Sequence, residues 1–146
     1  MAKQFGVDIT SDDIVDTLAF FDSWDDRYKY IIDLGRELPP MADEHKVEDN
    51  LIRGCQSQVW LVTREEQQGS QDGKLYFDVD SDAFIVKGLL AIVMAAYNGK
   101  TADEILAFNI QAYFESIDLM RHLSPTRGSG LQAMVARIQQ IASQAA

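Results

Sequence analysis

From Phe84 to Tyr97 the sequence runs FIVKGLLAIVMAAY, with Lys87 as its one charged residue. A helix that is apolar on all sides has to be enclosed on all sides. The run is well short of the roughly 20 apolar residues that span a membrane, so it reads as a buried core helix. Ser81 stands as its cap, the helix covers about residues 82–97, and Asn98-Gly99 closes it. A chain of 146 residues, 47% of them apolar, holds one such core and not comfortably two. A single domain over residues 1–146 is therefore expected.

Local signals give the elements around this helix. Thr10 or Ser11 precedes acidic residues and then Ile14, Leu18 and Phe21, a capped amphipathic helix ending near Asp22. Ser23 caps a second helix with Trp24, Tyr28, Ile31, Ile32 and Leu34 on its apolar side, Gly35 as its stop and Pro39-Pro40 beyond. The first quarter thus reads as a helical hairpin. Residues 41–50 are polar and irregular, and residues 51–58 look like a short strand turning through Gly54. Residues 59–64 and 74–80 are rich in β-branched and aromatic side chains and predict a hairpin, with the Gly69-Ser70-Gln71-Asp72-Gly73 turn between them. Thr101-Ala102-Asp103-Glu104 opens a short helix, residues 111–122 form another, and Ser124-Pro125 heads the last. The fold class this predicts is α+β, with several helices covering a small antiparallel sheet.

Charge and residue counts narrow the function. The formal net charge is −10, the wrong sign for holding a phosphate backbone, so nucleic acid is not an expected partner. An acidic surface is explained by solubility. The N-terminus MAKQFGVDITSDD has no apolar segment of a secretory signal, which predicts a cytoplasmic protein with no membrane partner. One cysteine and two histidines allow no internal disulfide and no four-ligand Cys/His zinc site, so no metal is expected. Whatever Cys55 does covalently, it does with another molecule.

By default a lone intracellular cysteine is a small buried hydrophobe. The neighbours of Cys55 argue otherwise. Gly54 permits a backbone conformation or a close approach that a side chain would block, and the amides of the polar run Gln56-Ser57-Gln58 can point at a charge on sulfur. Three thiol chemistries compete. A cysteine hydrolase needs a histidine base, and only His45, in a polar loop, and His122, at the end of the 111–122 helix where a dipole interaction accounts for it, are on offer. A peroxide-reducing thiol usually needs a resolving cysteine, which is lacking. Sulfur transfer needs one thiolate that attacks the outer sulfur of a partner's persulfide. A module that binds and activates a partner enzyme without covalent chemistry of its own is the alternative from a different class.

The segment Arg53-Gly54-Cys55-Gln56-Ser57-Gln58-Val59-Trp60-Leu61 resembles the active-site segment of the SufE family of sulfur acceptors. The likeness extends through Trp24-Asp25-Asp26-Arg27-Tyr28-Lys29-Tyr30-Ile31-Ile32, Leu34-Gly35-Arg36-Glu37-Leu38-Pro39, Asp80-Ser81-Asp82, Ile85-Val86-Lys87-Gly88-Leu89 and Leu123-Ser124-Pro125-Thr126-Arg127. It implies a fold like the U-type iron–sulfur scaffold, with the reactive cysteine on a loop at the sheet's edge. It also implies a sulfurtransferase-like accessory role. The donor is a SufS- or CsdA-like cysteine desulfurase that keeps the pyridoxal phosphate, so no cofactor is expected on this chain, and the sulfur passes to iron–sulfur cluster assembly. The Gly-Cys-Gln-Ser-Gln run is similar to SufE itself, whereas Phe5-Gly6 and Gly99-Lys100-Thr101-Ala102 are more similar to the paralogue CsdE. Cys55 is the expected persulfide acceptor, flanked by Gly54 and Gln56. The resemblance sets Asp82 on the element beneath the loop, where the plain alternative is a first-turn helix charge. It sets Arg127 near the cysteine, where the alternative is a solvated or ion-paired arginine, and His122 as a secondary helper.

Overall fold

A computed structural model of the chain describes residues 4–54, 57–63 and 73–145. Cys55, Gln56, Arg64 and positions 69–72 of the expected turn lie outside the described residues. The apolar run forms helix α3, Phe84–Tyr97, and every residue in it is buried except Phe84 and Lys87. Helix α1, Ser11–Phe20, begins in a capping box in which the side chains of Thr10 and Asp13 each accept from the other's backbone N–H. Helix α2, Trp24–Arg36, is capped by Ser23, whose hydroxyl accepts the Asp26 N–H. The expected hairpin of these two helices is corrected, because the main packing partner of each is α3.

Gly35, the expected stop of α2, lies inside the helix at its crossing with α3. A Cβ on Gly35 would stand 2.6 Å from the Gly88 backbone nitrogen, and one on Gly88 would collide with the Ile31 carbonyl. The two glycines let the helices meet backbone to backbone.

The sheet pairs β1, Val59–Thr63, with β3, Phe77–Ser81, antiparallel, with Trp60 opposite Asp80 and Val59 opposite Ser81. Residues 74–80 do not form one strand as expected. β2, Lys74–Leu75, turns away to pair with β4, Lys100–Thr101. The buried Asn98, at the end of α3, sits at the divide: its side-chain oxygen accepts the Phe77 N–H at 2.7 Å, and its amide donates to the Phe5 carbonyl at 2.9 Å. Ser81 is likewise not the cap of α3. It ends β3, and its hydroxyl accepts the N–H of Ala83, the residue before the helix.

Helix α4, Ala102–Ala107, opens with a Thr101–Glu104 capping box. The helix expected over residues 111–122 is broken. α5 spans Ile110–Ser116, Asp118 takes a left-handed φ of 55°, and Met120–His122 form a short 3-10 turn. The left-handed residue lets both of its apolar neighbours, Ile117 and Leu119, enter the core. Helix α6, Pro125–Ala145, starts on Ser124, whose hydroxyl accepts the Arg127 N–H at 3.2 Å. The fold is α+β: among the described residues, two small antiparallel two-stranded sheets, with helices packed around α3. Among the described residues no helix is long and apolar enough to cross a membrane.

Candidate functional site

The chain approaches and leaves Cys55 along two antiparallel arms. On the way in, Leu51 bridges to Trp60 and the Ile52 N–H donates to the Val59 carbonyl at 2.8 Å. Arg53, exposed and 3.5 Å from the Glu48 carboxylate, begins a turn with Gly54. Gly54 has φ +94°, a conformation that side chains disfavour, and a Cβ there would come within 3.3 Å of the Ala133 methyl on α6. On the way out, the Gln58 N–H donates to the Asp82 carboxylate at 3.0 Å, and the Asp82 N–H donates to the Gln58 carbonyl at 3.3 Å. Asp82 therefore precedes α3 and anchors the outgoing arm. It is not a charge in the helix's first turn, which holds no acidic residue.

Arg127 lies in the first turn of α6, the helix that Gly54 faces. With Ser57, Val86, Leu89, Thr126, Gly130 and Met134 it lines a cavity of about 40 Å³, room for roughly one water. Its guanidinium donates to the Tyr28 hydroxyl at 3.3 Å. Among the described residues no carboxylate lies within ion-pair distance of it. Arg127 thus shares a cavity with a residue two positions after Cys55, and brings a positive charge to it.

His122 is engaged elsewhere. Its ring stacks on Trp24 with centroids 3.9 Å apart, and its Nε2 lies 3.5 Å from the Asp118 carboxylate. His45 lies in a 3-10 turn, Asp43–His45, and its carbonyl accepts from the Asn50 side chain. Neither histidine lines the cavity shared by Ser57 and Arg127.

Asp80 escaped the sequence reading. It is 5% exposed. One carboxylate oxygen accepts the Ser81 N–H at 2.8 Å and lies 3.3 Å from the Lys87 ammonium. The other accepts the Met41 N–H at 3.4 Å and lies 3.4 Å from the Lys46 ammonium. Burial alone would push this carboxyl up. The Ser81 amide, the Lys87 ammonium and the Met41 amide outweigh it and hold the group below the ordinary carboxylate range. The one visible signal was an acid inside an apolar strand, with a lysine a helical turn into the helix that follows.

Residues 12–142 match the family model SufE, described as an Fe-S metabolism associated domain. The chain belongs to the SufE family. It is 46% identical over 129 residues to a protein of Rhizobium etli named an uncharacterized SufE-like protein, covering 88% of this chain and 86% of that one. A similarly named protein of Rhizobium meliloti (strain 1021) is 45% identical over 128 residues, covering 88% and 91%. Among solved structures, the solution structure of a hypothetical protein from Thermus thermophilus superposes with a TM-score of 0.72 over 92% of this chain and 94% of that one. At 16% identity it shares the fold alone. SufE membership supports a general role as a sulfur-transfer partner of a cysteine desulfurase, and both arms of the Cys55 reversal fall inside the matched residues.

Proposed function

We propose that this SufE-family chain is a sulfur courier working as a single cytoplasmic domain. Cys55 accepts sulfur from a SufS- or CsdA-like cysteine desulfurase, raises its turnover, and relays the sulfur to an iron–sulfur scaffold complex or another acceptor. The observation that carries this reading is the position of the chain's only thiol, between an arm fixed at Ile52 and an arm fixed at Gln58, with the guanidinium of Arg127 in the cavity that Ser57 lines.

The chemistry balances without a group bound to this chain. The Cys55 thiolate attacks the outer sulfur of the donor's persulfide. That sulfur's bond to the donor breaks as its bond to Cys55 forms, and the donor's cysteine leaves as a thiolate. A positive charge favours the attacking thiolate and then the anionic persulfide that replaces it. Arg127, which lines a cavity with Ser57, supplies that charge, and Gly54 lets the incoming arm turn before Cys55. Pyridoxal phosphate stays on the desulfurase.

Cys55→Ala tests the reading directly. Cysteine turnover by the desulfurase should rise with the wild-type chain and not with the variant. Stimulation by the variant at the wild-type level would make the chain an activating module that accepts no sulfur.

A further inference from the structure

Asp80 and Asp82 stand two residues apart where β3 runs out, one buried and the other exposed. Asp82 holds the arm that leaves Cys55, through Gln58. Asp80 reaches the arm that enters it. Its carboxylate touches the Met41 amide and the Lys46 ammonium, at the two ends of a stretch that continues through the 3-10 turn Glu48–Asn50 to Leu51 and Ile52. The Lys46 ammonium also lies 5.8 Å from the centre of the Trp60 ring, on the residue opposite Asp80 in the sheet. The Lys87 contact ties the same carboxylate to α3.

We propose that Asp80 is a positioning residue for Cys55: through Lys46 and Met41 it fixes the incoming arm in register with β1, while Lys87 holds Asp80 to the core. The inference rests on Cys55 being the reacting residue. An ion pair with one nearly buried member is screened less by water and salt than a surface pair, and removing one partner leaves the other uncompensated. The Lys46 side chain is 31% exposed, that of Asp80 7%, and Asp43, the other carboxylate near Lys46, is 99% exposed. Among the described residues Asp80 is thus the nearer and much the less exposed of the carboxylates paired with Lys46.

The two lysines should act differently. Alkylation of Cys55 by iodoacetamide in the full chain, followed across pH, gives both a plateau rate for the thiolate and a midpoint for its ionisation. Lys46→Met and Asp80→Asn should raise the plateau on the order of tenfold, equivalent to about 1.4 kcal/mol of lost anchoring, with the midpoint unmoved. Lys46→Arg keeps the charge and the contact and should return the wild-type plateau. Lys87→Met, which leaves Lys46 and the Met41 amide on the carboxylate, should lower the melting temperature and raise the plateau less than Lys46→Met does. If Asp80→Asn does not fold, Lys46→Met decides. A plateau at or below wild type in folded Lys46→Met overturns the proposal, as does a shifted midpoint with an unchanged plateau, which would make Lys46 a through-space charge. No desulfurase enters this measurement. Failure of sulfur acceptance would sink the courier reading and leave this result standing.

Discussion

Gln58 and Asp82 hold each other through two hydrogen bonds, the Gln58 N–H to the Asp82 carboxylate at 3.0 Å and the Asp82 N–H to the Gln58 carbonyl at 3.3 Å. The pair fixes the chain three residues after Cys55, where the strand begins. Asp82→Ala deletes the acceptor and should cost about 1 kcal/mol in denaturant unfolding. Asp82→Arg removes the acceptor too and should also alter the alkylation rate of Cys55 in the free protein, whereas Asp82→Asn keeps an acceptor oxygen and should stay near wild type. Equal alkylation and equal stability in Asp82→Arg and wild type would remove Asp82 from the site.

Gly54 takes a left-handed φ against Ala133. Gly54→Ala should cost roughly 1–3 kcal/mol of stability and slow sulfur acceptance, because the turn into Cys55 must shift. Gly54→Asn, which tolerates this region better, should lose less. Thermal unfolding and transfer rate, measured side by side, check the order.

Much of this was legible because it is local. The boxes at Thr10–Asp13 and Thr101–Glu104 and the Ser124-Pro125 start join residues within one turn, and their chemistry is readable from spacing. Gly35 misleads because a glycine that ends a helix and one that admits a crossing helix look alike until Gly88 is seen beneath it. The departure of Lys74–Leu75 toward Lys100–Thr101, and the break at Asp118, are set by distant partners and by core burial. Asp80 is hidden for the same reason, since Lys46 is far from it in sequence. At the site, family resemblance draws attention to Arg127, and the cavity with Ser57 supplies a physical reason to test it.

Arg127→Ala should raise the Cys55 pKa, read from pH-dependent alkylation, and slow sulfur acceptance more than it lowers stability. Arg121→Ala is the matched control, because Arg121 is exposed and paired with Asp118 at 3.3 Å. If both variants keep the wild-type pKa and transfer rate while folded, the guanidinium near Ser57 has no part in the chemistry.

The lowered pKa of Asp80 fixes a sign for stability against pH. A carboxyl held lower in the folded chain contributes stability above its unfolded value, about 3.9, and loses it as pH falls through the folded value. Asp80→Asn should therefore cost most at neutral pH, roughly 1.5–3 kcal/mol for the lost charge-assisted contacts, and progressively less below about pH 4. Denaturant titrations of the two proteins across that range measure the difference, and a gap independent of pH would contradict the assignment.

If Cys55 carries the sulfur, the intact mass of the chain after incubation with a cysteine desulfurase and free cysteine should rise by one sulfur atom, released by reductant and absent from Cys55→Ala. An unchanged mass, while the chain still accelerates cysteine turnover, would contradict sulfur carriage by Cys55.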